Sequence, residues 1–194
     1  LILKSNCLKQ NKREIVQIKS FCDNFLGKAN GRYHFKYDVM IYPRFDRDLS
    51  PTQHRLSFSE MLEIKKQDPD FWQEYKSSLG CKSPRLKRKR DFLYHCTSWQ
   101  QQFFINPYGQ LKFCDISDKF SADLKSFSFE EGFYRGFSRL LNARFKTDSK
   151  CRTCRLRPLC YHCPARAYLE TGDEEAPVSY YCELAKETAK LIKK

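Results

Sequence analysis

Four cysteines, Cys151, Cys154, Cys160 and Cys163, fall within thirteen residues and are followed at once by Pro164. Their intervals are two, five and two residues. A Cys-x2-Cys turn aims two sulfurs at one point, so this run has the makings of a thiolate cage around a small inorganic centre. Two zinc knuckles usually sit farther apart than five residues, because each needs its own turn and the two must fold back on one another. The other cysteines, Cys7, Cys22, Cys81, Cys96, Cys114 and Cys182, are the available partners. His95 and His162 each adjoin a thiol. Imidazole can ligate a metal, but in so tight a turn His162 is expected to point outward. Asp115, beside Cys114, is either a hydrogen-bonding group near such a centre or a surface carboxylate.

Length and composition narrow the setting. The 194 residues suffice for one domain with a sizeable core or for two small ones. No signal-peptide pattern opens the chain, and no apolar run approaches the ~20 residues of a membrane span, so a cytoplasmic protein without a membrane partner is expected. The chain opens at Leu1 in an apolar, strand-like run and reads as part of something longer. Ten cysteines, most of them toward the second half, suit metal or iron–sulfur binding better than a disulfide framework. The formal charge of +13 favours acidic peptides or nucleic acid as partners. The run Arg85, Lys87, Arg88, Lys89 and Arg90 reads first as a solvated loop and second as a nucleic-acid contact.

Elements that would position the thiols follow from periodicity. Leu1–Lys4 reads as a short buried strand. Asn11 with Glu14 suggests a capping box for a helix carrying Ile15, Ile18, Phe21, Cys22, Phe25 and Leu26, ended by Gly27. Cys22 on that apolar face reads as a packed thiol, and Cys7 as a residue just past a strand end. Tyr33 to Ile41 alternates with period two, and Pro43 stops it. Strand, helix and strand make a βαβ unit with parallel strands. Ser57 and Glu60 cap a helix that Pro69 interrupts, and aromatic residues 71–75 suggest another. Residues 103–105 and 111–113 flank Asn106-Pro107-Tyr108-Gly109, a turn signature, so a hairpin is expected with Cys96 and Cys114 at one end. Ser128 and Glu131 cap the next helix. Residues 165–170 form a short one ended by Gly172, and Cys182 opens the last.

Taken together, Cys96-x12-Gly109-x4-Cys114, then Cys151-x2-Cys154-x5-Cys160, then Cys163-Pro164-Ala165, then Cys182, is similar to the SPASM extension of radical S-adenosylmethionine enzymes. The front of the chain resembles the last strands and helices of that family's partial (β/α)6 barrel. The resemblance implies an α/β chain: C-terminal βα units of a TIM-like barrel over residues 1–80, a basic linker over 81–93, and a small cysteine-rich α+β SPASM domain with a β-hairpin over 94–194. It implies one or two auxiliary [4Fe–4S] clusters. Cys151, Cys154, Cys160 and Cys182 would hold the second, and Cys96, Cys114 and Cys163 the first, with Cys81 a candidate fourth ligand. Such a crossed assignment is familiar from two-cluster ferredoxins, whose final cysteine serves the other cluster. Asn6, at a strand end, would lie on the S-adenosylmethionine side of the barrel. A peptide or protein substrate, acidic to suit the surface, and an electron donor such as flavodoxin or ferredoxin are the implied partners.

The chain departs from the family pattern in three respects. Cys160 and Cys163 are separated by two residues where the family usually has three, which leaves open a single cluster on Cys151, Cys154, Cys160 and either Cys163 or Cys182. The nearest thiol upstream of Cys96 is Cys81, so either Cys81 loops in or one iron of the first cluster stays open. The Cys-x3-Cys-x2-Cys motif of the radical-generating cluster does not occur, so the chain is expected to need a further part for catalysis. Two rival readings stand beside this one. A zinc-stabilised nucleic-acid-binding module explains thiols and charge together, but not the βαβ front half or Cys182. A degenerate extension would bind substrate with no metal.

Overall fold

The computed structural model describes residues 2–26, 34–69, 72–73, 77, 91–95, 102–117 and 119–192. The chain is mixed α/β and divides into two compact units, Leu1–Cys81 and Lys82–Lys194. Cys81, Cys96 and the basic run lie outside the described residues. Among those residues the strands form one two-stranded and one three-stranded sheet and close no barrel.

In the first unit, β1 (Ile2–Asn6) pairs with β2 (His34–Asp38) in parallel, from Ile2 opposite His34 to Asn6 opposite Asp38. The crossover is α1 (Ile15–Leu26), so the βαβ reading holds. Its details differ from expectation. β1 alternates between exposed and half-buried residues, with Ile2 62% exposed, rather than being buried throughout. The Asn11 side chain does not cap a helix. It accepts from the amide of Leu8 at 2.8 Å and donates to the carbonyl of Asn6 at 2.9 Å, so it closes the strand-to-helix loop and α1 starts at Ile15. β2 stops at Asp38, whose carboxylate accepts from the amide of Met40 and turns the chain before Pro43 is reached. The box of Ser57 and Glu60 does form and opens α2 (Phe58–Gln67). Cys7, Ile15, Leu56, Met61 and Ile64 are buried.

In the second unit, β3 (Phe104–Ile105) and β4 (Gln110–Lys112) make the expected hairpin, with Gly109 at φ 82° in the left-handed region its turn demands. A third strand that periodicity is too short to reveal, β5 (Ala122–Asp123), adds to β4. Ser128 and Glu131 cap α3 (Phe129–Asn142), which lies on this sheet. Close approach needs the missing side chain of Gly136, since a Cβ there would fall 2.0 Å from the Phe113 ring. Leu93, Tyr94, Leu111, Phe113, Leu140, Phe145 and Cys151 share the core. The chain then runs through α4 (Lys150–Thr153), a 3-10 turn at Arg157–Leu159, α5 (Pro164–Thr171) and α6 (Ser179–Ile192). Gly172 ends α5 at φ 83°. α6 begins three residues earlier than the expected start at Cys182, so that thiol sits in its first turn. Among the described residues no helix is long and apolar enough to cross a membrane.

Candidate thiol sites

α4 is a single turn, started by Ser149, whose hydroxyl accepts from the amide of Cys151 at 3.1 Å. That bond turns Cys151 into the core, and Cys154 ends the helix in the open. Pro158 shapes the 3-10 turn that delivers Cys160, which caps its end. α6 packs against this turn. The thiol of Cys160 donates to the carbonyl of Tyr181 at 3.7 Å, one residue from Cys182. Burial pushes the Cys160 thiol up to about 11, the amide of His162 opposes the shift, and Cys182, Cys151 and Cys154 add to it. Burial likewise raises Cys151, where the Ser149 bond pulls down and Cys182 and Cys154 push up. Four thiols, three from one segment and one from a helix further along, therefore sense one another's charge.

A cation stands among them that the sequence reading passed over. Arg157 donates from Nη2 to the carbonyls of Phe92 and Leu93, each at 3.1 Å, and lies over the Phe145 ring at 4.9 Å. Burial lowers its pKa, while Cys151, Cys160 and Cys154 raise it. It pulls the Cys151 thiol down against burial. Its position in a loop rich in Arg gives no signal that would single it out from Arg152 or Arg155.

Cys163 goes elsewhere. It caps the start of α5, and with Cys114 it presses on the hydroxyl of Tyr94. That hydroxyl donates to Glu174 at 2.7 Å, and burial, this bond, Glu174 and the two thiols together hold it protonated. Cys114 lies two residues beyond β4, in a bridge with Ser117, and its thiol donates to Asp115 at 3.8 Å. Asp115 is thus a thiol partner. Cys160 ends the 3-10 turn, whereas Cys163, three residues on, caps α5.

The histidines are engaged by backbone. A ring nitrogen of His162 meets the carbonyl of Ala176 at 3.1 Å, and burial lowers its pKa. It packs against the 173–178 loop instead of pointing outward. His95 meets the carbonyl of Phe92 at 2.8 Å. Asn6 ends β1 with its carbonyl held by Asn11. Cys7 is fully buried and Cys22 partly so. Among the described residues no three His, Cys, Asp or Glu side chains are gathered so as to hold a metal ion. A single tetrahedral zinc draws its sulfurs to about 3.8 Å from one another, given Zn–S bonds of about 2.3 Å. No family model, curated protein or solved structure matches the chain.

Proposed function

We propose that this chain is the C-terminal part of a radical S-adenosylmethionine enzyme of the SPASM type, which modifies a peptide or protein substrate. Cys151, Cys154, Cys160 and Cys182 would hold one auxiliary [4Fe–4S] cluster. Cys114 and Cys163, with Cys96 and a candidate fourth ligand in Cys81, would hold another. The observation that carries this reading is the company Cys182 keeps. A thiol 19 residues beyond Cys163 shares its electrostatic surroundings with Cys151 and Cys160, while Cys163 shares those of Cys114.

The donor set fits such a group. Four sulfurs without a carboxylate suit soft iron–sulfur chemistry. When bound, the clusters would supply one-electron chemistry, accepting the electron left after hydrogen abstraction or binding substrate. The chain's own residues have definite tasks around them. Arg157 offsets negative charge on the four-thiol side. Tyr94 and Glu174 hold a protonated hydroxyl beside the other pair. The radical-generating motif is absent from these residues and would have to come from another part, with an electron donor such as flavodoxin or ferredoxin.

Anaerobic isolation or reconstitution followed by iron, acid-labile sulfide and zinc analysis tests the proposal. Brown protein with iron and sulfide in equal amounts, and a Mössbauer spectrum of cubane clusters, is the expected result. Colourless protein with stoichiometric zinc would instead establish the nucleic-acid-binding module. Complete alkylation of the thiols in the folded, metal-free chain would establish the metal-free reading.

A further inference from the structure

A cavity of about 510 Å³ opens between the end of α3 and the loop after α5. Its size is that of ordinary ligand sites, which run from about 300 to 1,000 Å³. Leu93, Phe120 and Tyr168 give it apolar walls. Its acidic groups are already engaged. Glu174 accepts from Tyr94 and from Lys119. Glu175 accepts from the amides of Lys146 at 2.7 Å and Thr147 at 2.9 Å and from the Thr147 hydroxyl. Asp173 accepts from the amide of Glu175 at 2.9 Å.

Of the cavity's basic groups Lys119 is paired with Glu174, whereas three others are not spent in this way. Arg139, Arg144 and Lys146 all line it and are exposed. Arg144 lies over the Phe92 ring at 4.9 Å, a contact that leaves its charge in place. Among the described residues neither Arg139 nor Lys146 has a carboxylate within ion-pair distance, although the charge of Lys146 helps hold Glu175 below the usual carboxylate range. A cavity whose acceptors are occupied and whose donors are available takes a ligand that brings acceptors.

We infer that this cavity binds a carboxylate carried on an apolar body, as in an acidic peptide that alternates Glu or Asp with Leu or Phe. The carboxylate meets Arg139 and Lys146, and the apolar side chains lie on Phe120 and Tyr168. A phosphate chain fits worse. Its higher charge density would lie over Glu174 and Glu175 and near the last carbonyls of α3, which carry partial negative charge of their own. The cavity also borders one of the thiol neighbourhoods, since Glu174 in its lining holds the Tyr94 hydroxyl on which Cys114 and Cys163 press. Binding here needs no metal, so it stands or falls separately from the cluster assignment.

The test is fluorescence anisotropy of the full chain with a labelled peptide alternating Glu and Leu, in parallel with Gln–Leu and Lys–Leu peptides and oligothymidylate. Saturable binding of the Glu–Leu peptide is expected, weakened about tenfold in Arg139→Glu/Lys146→Glu, where two exposed charge contacts are lost. The double change Lys9→Glu/Lys66→Glu alters net charge equally in the first unit and should leave affinity within about twofold. Should the reversal variant unfold, as circular dichroism would reveal, Arg139→Gln and Lys146→Gln each show the loss at about threefold. Equal binding by both double variants overturns the inference. So does a Gln–Leu peptide as tight as Glu–Leu, or tighter binding of oligothymidylate that the same variants abolish.

Discussion

The thiols of the second unit stand beside two different groups, an arginine and a phenol. The group of Cys151, Cys154, Cys160 and Cys182 has a cation in its midst, Arg157, anchored to two backbone carbonyls and an aromatic ring. The pair Cys114 and Cys163 has instead a neutral phenol, tied to a buried carboxylate. A cation stabilises thiolate and any anionic group those thiolates hold, whereas on the other side the cation, Lys119, is taken up by Glu174. The difference teaches that the chain changes element within three residues, since Cys160 ends the 3-10 turn and Cys163 starts α5 at Pro164.

The largest effect should come from breaking the group that depends on a distant helix. Cys182→Ser is expected to remove about four irons per chain after anaerobic reconstitution while the Cys114 side keeps its own. Cys22→Ser should change iron content not at all. Iron loss in both, or in neither, would end the distinction between neighbourhoods.

Next is a change that strains one side only. Gly136→Ala forces a methyl into the Phe113 ring and should cost about 1–3 kcal/mol, read as a lower urea midpoint. Phe113 adjoins Cys114, so the alkylation rate of Cys114 should rise while that of Cys160 holds. Tyr94→Phe deletes the donor to a buried carboxylate and should cost about 1–2 kcal/mol by the same measurement.

The smallest effect expected is kinetic. Arg157→Met removes the charge that pulls the Cys151 thiol down, so Cys151 moves further above its ordinary value of 9.0. Less thiolate is then present at pH 8, and its alkylation in the metal-free chain should slow a few-fold. Cys7 gives a reference in which burial outweighs the one cation that acts on it, Lys65. Burial first, then Asp38, pushes it up to about 12 against the pull of Lys65. Because the folded value lies above the unfolded one, the stability tied to a neutral Cys7 is intact below pH 9.0 and is lost as pH rises toward about 12. Denaturation midpoints measured across that interval should fall, and Cys7→Ala should flatten the fall.

Much of the local structure was legible from residue types alone. Two capping boxes, the Asn106–Gly109 turn and the αL stop at Gly172 are local signals, because each is decided by hydrogen bonds within a few residues. Asn11 misled for the same reason in reverse. Its side chain had two backbone partners available in the loop, and a capping pattern cannot say which it takes. β5 is two residues long and carries no period to read.

By itself, then, the sequence determined which atoms are available: four thiols in one short run, a fifth on the last helix, a basic surface, and turns at predictable places. Tertiary structure alone decided their grouping. Whether Cys163 joins Cys160 or Cys114 depends on how α5 leaves the turn. Whether Cys182 joins Cys151 depends on α6 lying against the Arg157–Leu159 turn. Contacts between segments so far apart along the chain arise from burying shared apolar surface, which no local pattern encodes. The same packing chose Arg157 from among its neighbouring arginines and set Glu174 beneath a cavity whose cations remain available.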